Sequence, residues 1–286
     1  MNNLLITGAT GFIGKYFIEK YNDTYAIKSF SFLHDNLDEL NLKNIDTILH
    51  LSALVHQMGG ASKEEYERVN VTQTLALAHK AKENGVGHFI FMSSVKVYGE
   101  ESDGVYTEQS KCHPQDEYGK SKLKAEVELL KLEDESFKVS IIRTPIVYGY
   151  GVKANIKSLV SLVRKVSFLP FGGITNRRSM VYIGNLCHLI DTIVKKQKKG
   201  IYLAGDDKPL STTKFIELIA NELHKKVYLI KIPFFETLLK FLKPSFHKRL
   251  YESLEVNNSL TQEQLGFQNL YTVEEGIKYM IHGENR

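Results

Sequence analysis

The first half of the chain alternates short, nearly continuous apolar runs with longer segments whose apolar residues recur every three or four positions. The runs "NLLITG", "YAIKSF", "DTILHLSA", "HFIFMSSV" and "KVSIIRTPIVYG" predict strands. A helix follows the first run through Tyr16, Phe17 and Ile18. The segment "EEYERVNVTQTLALAHKAKENG" predicts a second helix stopped at Gly85, and residues 118 to about 134 predict a third. Strands apolar on both faces, separated by amphipathic helices, imply an α/β fold: a doubly wound parallel sheet covered on both sides.

After Gly151 the rhythm breaks. "NIKSLVSLVRKV" predicts a helix, "FLPFGGITNRRS" a loop, "MVYIGNL" a short strand running into a helix, and "GIYLAG" a further strand. Ser211, Thr212 and Thr213 can cap the helix "KFIELIANELHK". No repeat, low-complexity tract or linker separates the halves. The expectation is a main domain over 1–150 and a smaller α/β substrate lobe over 151–286. The two interleave, with a segment near 181–200 returning to the main sheet.

Composition sharpens this only a little. The 286 residues suffice for a sizeable core. The net charge of +4 is spread along the chain, which argues against a nucleic-acid partner and suits a small anionic substrate. Cys112 and Cys187 are far apart and belong to no CxxC pair, as expected in a reducing compartment without a disulfide framework. The ten histidines show no ligand spacing, so no metal is expected. The first residues lack a basic leader, and no apolar run is long enough to cross a bilayer; the expectation is a cytoplasmic protein.

The turn after the first strand reads "TGATGFIG". Glycines at 8, 11 and 14 let the backbone turn sharply and approach a pyrophosphate at a helix N-terminus. One glycine in a strand–helix turn means little. Three, directly after the first strand of a βαβ unit, predict a dinucleotide held by Gly8, Thr10, Gly11, Phe12, Ile13 and Gly14.

"TGATGFIG", "HLSALVH", "FMSSVKVYG", "YGKSK" and "RTPIVYG" occur in the order seen in the extended short-chain dehydrogenase/reductase family, the NAD-dependent epimerase/dehydratase family. The chain resembles that family over most of its length, including "NRRSMVYIGNL" and "LGFQNLYTVEEGI". The resemblance implies a Rossmann-type sheet and a nucleotide-sugar enzyme: an epimerase, dehydratase or ketoreductase. It further implies that Leu51, Ser52, Ala53, Leu54, Thr144 and Pro145 line the cofactor, with Arg143 beside them. Thr144 stands where relatives usually carry proline. Asn70 matches a helix asparagine whose role is structural.

A dinucleotide fold usually closes its second strand with an acid that accepts from the free ribose 2′-hydroxyl and repels a 2′-phosphate. "YAIKSFS" carries none, while Lys28, Ser29 and Ser31 suit a phosphate; Lys28 also reads as a solvated strand residue. Asp35 and Asp38 come too late in sequence for the ribose, though within reach of the adenine. The strand therefore favours NADP(H) over NAD(H).

On a helix, residues four apart share a face and residues two apart do not. Lys122 is thus the neighbour of Tyr118, and Lys120 and Lys124 are not. A tyrosine titrates near 10, so it needs a nearby cation to act as a base at neutral pH. Tyr118 and Lys122 on a polar helix are otherwise unremarkable; the resemblance turns them into a proton carrier and its partner on the nicotinamide ribose, with Ser94 orienting the substrate oxygen. It also places Ser94, Val95, Asn155, Phe168, Phe171, Arg178 and Arg249 around a UDP-sugar. The arginines suit its diphosphate, and the stretch from Phe168 to Phe171 suits the uracil.

Dehydratases of the family place Asp-Glu directly after the active serine or threonine; here those positions are Val95 and Lys96, which argues against that reaction. Epimerase and reductase share Ser94, Tyr118 and Lys122. The missing strand-2 acid, "GVKAN" and the short connection from strand 2 to strand 3 resemble bacterial reductases of UDP-4-keto-6-deoxy-N-acetylhexosamines, which serve surface polysaccharide synthesis. NADPH-dependent 4-ketoreduction is therefore the favoured reading. UDP-hexose 4-epimerisation with tightly held NAD, as in UDP-glucose 4-epimerases, is the alternative. A non-catalytic dinucleotide sensor or scaffold is a third, disfavoured by the intact Ser94, Tyr118 and Lys122.

Two surface features complete the reading. The aromatic, basic segment at 232–250 predicts a lid or packed helix, with contact to a membrane surface as the other use. Relatives form a homodimer through helices at about 64–82 and 118–134, where Ala76, Ala81 and Leu123 suit either an interface or the core.

Overall fold

A computed structural model of the protein describes residues 2–55, 61–102 and 104–284. The chain runs β1 (Asn3–Thr7), α1 (Phe12–Tyr21), β2 (Ala26–Phe30), β3 (Thr47–His50), α2 (Lys63–Tyr66), a π-helical stretch (Glu67–Thr72), α3 (Gln73–Glu83) and β4 (His88–Ser94). It continues through β5 (Val105–Tyr106), α4 (Glu117–Leu132), β6 (Lys138–Thr144), β7 (Ile146–Tyr148), α5 (Ala154–Lys165) and β8 (Phe168–Leu169). Then come β9 (Met180–Tyr182), α6 (Ile183–Lys196), β10 (Gly200–Leu203), α7 (Thr212–Glu222), β11 (Tyr228–Leu229) and α8 (Phe235–Leu242). The last elements are α9 (Pro244–Tyr251), β12 (Glu255–Val256), α10 (Ser259–Leu265) and α11 (Val273–His282).

Six strands form one parallel sheet in the order β10-β6-β4-β3-β1-β2. Its inner strands are largely apolar because both faces are covered, whereas edge strand β2 is mostly exposed. Leu4, Ile6, Ile90 and Ile142 enter a core shared with Phe17 of α1 and Leu186 and Ile190 of α6. Their sequence neighbours Leu5, Phe89, Phe91 and Ile141 enter a second core with Leu77, Ala81 and Leu129 of α3 and α4. This alternation is the period-two geometry of a strand.

Pro145 ends the run "KVSIIRTPIVYG". β6 stops at Thr144, and β7 leaves the main sheet to pair in parallel with β9. The strand signal at "MVYIG" therefore serves this small sheet. β10, which begins at Gly200, pairs with β6 at the edge of the main sheet. The expected loop "FLPFGGITNRRS" contains β8, which pairs with β11. Ser211 caps α7 by accepting from the Lys214 amide at 3.0 Å, as its sequence suggests.

Candidate active site

The C-terminal ends of β1, β3, β4 and β6 share one edge of the sheet. The chain leaves β1 for β2 on one side and β3 lies on the other, so a crevice opens between β1 and β3 where the winding reverses. Gly8, Leu51, Ser94 and Thr144 all lie at this edge.

The glycine loop has the shape of a phosphate cradle. Gly8 sits at φ +71°, and a Cβ there would meet the Leu51 carbonyl carbon at 2.9 Å. A Cβ on Gly14 would lie 2.4 Å from the Gly8 carbonyl oxygen. No side chain caps α1 at Gly11, so the amides of its first turn, from Phe12 to Gly14, face the crevice unscreened. These residues fit a dinucleotide pyrophosphate.

Opposite, the Ser52 amide donates to Thr7 Oγ1 at 3.1 Å and the Leu54 amide to Asn70 Oδ1 at 2.8 Å. Asn70 Nδ2 also donates to Leu54 O and to Ser121 Oγ, both at 3.0 Å. Asn70, in the π-helical stretch, thereby ties the loop after β3 to α4 one residue before Lys122. Its role here is positional, as the resemblance implies. His50, beside this loop, is held by Thr7 and Thr74, and burial pushes its pKa down to about 3. It is a neutral structural group. The motif "HLSALVH" is described only to Val55; His56 lies outside the described residues.

At β2 the structure redistributes the expected cofactor contacts. Lys28 lies level with Leu5 and Ser29 with Ile6, below the edge where Phe30 meets Thr7. Of Lys28, Ser29 and Ser31, only Ser31 reaches that edge. Its amide donates to Asp35 Oδ2 at 2.8 Å. A five-residue turn thus folds back and returns a carboxylate to the end of β2, which spacing alone placed too late.

Ser94 ends β4 and caps a 3-10 turn, accepting from the Lys96 amide at 3.2 Å. Tyr118 opens α4, whose N-cap Asp116 accepts from the Gly119 amide at 2.7 Å. Burial raises the Tyr118 phenol pKa above its usual value, with Asp116 and Tyr66 adding to the rise and nearby Ser94 opposing it. Lys122 is 2% exposed; its Nζ donates to Met92 O at 2.9 Å and lies 4.5 Å from the centre of the Phe91 ring. Burial lowers the Lys122 pKa to about 7, against the pull of Glu126. The expected depression of Tyr118 by Lys122 is therefore not what this arrangement produces. The ammonium is turned to Met92 O, and burial disfavours its charged form. Lys120 pairs with Glu117 and Lys124 with Glu67, so neither competes for Tyr118.

Arg143 was expected beside the nicotinamide and faces the other way. Its guanidinium binds the buried Glu126 carboxylate, with Nη2 2.6 Å from Oε2, and donates to Tyr98 Oη at 2.8 Å. Glu126 also accepts from Ser93 Oγ. Strand alternation explains the reversal: Ser93 and Arg143 face α4, while their neighbours Ser94 and Thr144 face the cleft.

That cleft, about 430 Å³, is lined by Ser94, Val95, Tyr118, Thr144, Pro145, Asn155, Arg178 and Arg249. The sequence reading thus converges on one wall. Arg178 donates to Lys248 O and Glu252 O, and Arg249 Nη1 to Asn155 Oδ1 at 3.4 Å. Phe171 lines an adjoining apolar cavity of about 230 Å³ that shares Asn155, Arg178 and Arg249 with the cleft. Phe168 is 62% exposed, stacked on Tyr228 and outside both cavities. Sequence reasoning missed Lys96, which lines the cleft and pairs with Glu100 and Asp116, and Lys248 on the rim. It also missed Glu126, although its place four residues after Lys122 was a readable signal.

Comparison with known proteins agrees with this geometry. A sequence model of the NAD dependent epimerase/dehydratase family matches residues 4–205. The chain is 36% identical over 306 residues to a UDP-glucose 4-epimerase of Vibrio cholerae, covering 96% of this chain and 93% of that one. It is 27% identical to an N-acetyl-α-D-glucosaminyl-diphospho-ditrans,octacis-undecaprenol 4-epimerase of Escherichia coli O157:H7, covering 82% and 76%. A UDP-glucuronic acid 4-epimerase of Bacillus cereus, solved with NAD, has the same fold at a TM-score of 0.79 and 19% identity, covering 98% of each chain.

Proposed function

The chain belongs to the NAD dependent epimerase/dehydratase family, and on that footing we propose that it inverts C4 of a UDP-linked sugar, with NAD as the cofactor. The observation that carries the chemistry is that Ser94 and Tyr118 line a single cleft that also presents Asn155, Arg178 and Arg249. When bound, the nicotinamide supplies a hydride acceptor and donor.

The protein's own residues do the rest. Ser94 Oγ orients the substrate O4 by a hydrogen bond. As the phenolate, Tyr118 Oη takes the proton from that oxygen and later returns it. Lys122, one turn along α4, supplies the cation that this exchange needs when its ammonium swings from Met92 O toward the ribose. Arg178 and Arg249 meet the diphosphate, and Val95 keeps the wall beside O4 apolar. Without Tyr118 as the proton carrier, the Tyr118→Phe variant is expected to lose nearly all turnover while it keeps its fold; full turnover in that variant would end this assignment.

Asp35 at the end of β2 supports NAD, because a carboxylate there accepts from a ribose hydroxyl and repels a phosphate. Two relatives of this chain are named as 4-epimerases of a diphosphate-linked sugar, one carried on uridine and one on undecaprenol. The reductase reading keeps one observation, the absence of an acid within β2 itself. Mass spectrometry of the cofactor that survives purification separates the two: retained NAD supports the epimerase, and exchangeable NADPH consumed one for one with a 4-keto sugar supports the reductase. A homodimer through the outer faces of α3 and α4 remains part of the proposal. Exposed Val127 and Leu130 suit that interface, whereas Ala81 is buried in the core.

A further inference from the structure

Helix α8 has an apolar arc wider than the body of the protein covers. Phe235 and Leu239 pack inward, the Phe235 ring lying 6.4 Å from Phe171, yet no residue of the helix is buried. Phe234 at its N-cap, Leu238, Phe241 and Leu242 point outward; both phenylalanines are 85% exposed. Positions 234, 238, 241 and 242 form one stripe of a helix. Phe246 of α9 and Ile230 and Ile232 before α8 extend the exposed apolar surface. Exposed Lys231, Lys240 and Lys243 flank it. From 230 to 250 five Lys and Arg side chains stand against a single carboxylate, Glu236, so this stretch carries as much net charge as the whole chain.

We propose that this face docks on an anionic bilayer surface. Phe234, Leu238, Phe241 and Leu242 enter the acyl boundary, and Lys231, Lys240 and Lys243 meet lipid phosphates. Charge complementarity names the occupant: a stripe of Phe and Leu rimmed by lysines matches the interfacial pattern, whereas protein interfaces are depleted of lysine. Two helical turns supply only modest apolar burial, so the attachment is peripheral, reversible and salt-sensitive. Because α9 continues from α8 and places Ser245, Lys248 and Arg249 on the cleft, docking holds the mouth of the active site beside the membrane. This inference does not depend on which sugar the site accepts.

The test is co-sedimentation of the full chain with vesicles of phosphatidylglycerol and phosphatidylcholine, and with phosphatidylcholine alone. The protein is expected to pellet with the anionic vesicles at low salt and to be released at high salt. Phe241→Ser with Leu242→Ser is expected to lower the bound fraction about fivefold, with Tm and turnover unchanged because neither side chain touches a cavity. Lys240→Glu with Lys243→Glu is expected to weaken anionic binding by a route that leaves the apolar stripe intact. Absence of wild-type binding at low salt, or binding indifferent to both double variants, overturns the proposal. So does sedimentation velocity in which Phe241→Ser with Leu242→Ser breaks a wild-type oligomer, because the stripe is then covered by a second copy.

Discussion

Lys122 holds its charge where water is almost excluded, and that placement sets two opposed effects. Its folded pKa of about 7 lies below the ordinary 10.5, so between those values the unfolded chain binds a proton that the folded chain has released. Stability therefore rises with pH across that window, and the burden of the buried ammonium is largest at and below pH 7. Lys122→Met is expected to abolish turnover yet raise stability by about 1–2 kcal/mol at pH 7. Thermal melts should show its advantage shrinking as pH climbs from 7 toward 10.5. Tyr118→Phe is expected to cost about a thousandfold in kcat with no change in Tm, read by a coupled C4-inversion assay and a melt. Asp35→Ala should narrow any preference for NAD over NADP at least tenfold in binding titrations. Spacing put Tyr118 and Lys122 on one helix face, and only the family resemblance singled them out as a pair. The direction of their pKa values was not legible, because it depends on burial by β4 and by Tyr66, which approach from distant parts of the sequence.

At the scale of elements, two joints carry the site. The first is the turn between β1 and α1, where a Cβ on Gly14 collides with the Gly8 carbonyl and with Ala9 Cα, both backbone. Gly14→Ala is expected to destabilise by about 1–3 kcal/mol and to weaken dinucleotide binding at least tenfold, measured by urea unfolding and fluorescence titration. The second is the clamp between β6 and α4. Arg143→Met strips the guanidinium bound to buried Glu126, and a fall of about 3–5 kcal/mol in unfolding free energy is expected. The parallel sheet was readable because strands buried on both faces form continuous apolar runs. β8 and β11 were not, since a two-residue strand has no period to detect. The displacement of Lys28 below the sheet edge was equally hidden: register between β1 and β2 is a pairing property that neither strand carries alone.

Across the whole molecule, the main sheet supplies the cofactor crevice and the later elements bring Asn155, Arg178 and Arg249 to face it. Chain order gives little hint of that convergence. Arg178 is positioned by carbonyls of residues 248 and 252, some seventy residues on, which only the folded chain brings near. Among the described residues no helix is long and apolar enough to cross a membrane, and no cluster of side chains could hold a metal ion. The central claim is hydride chemistry at a sugar carbon, with the proton carried by Tyr118. The most direct measurement is proton NMR of UDP-glucose and of UDP-N-acetylglucosamine incubated with the protein and a substoichiometric amount of NAD. The account predicts that a C4 epimer of one of them accumulates to equilibrium, many turnovers per NAD, and that Tyr118→Phe abolishes it. Unchanged sugars in the presence of the wild-type protein, together with one-for-one oxidation of NADPH on a UDP-4-keto sugar, would contradict it.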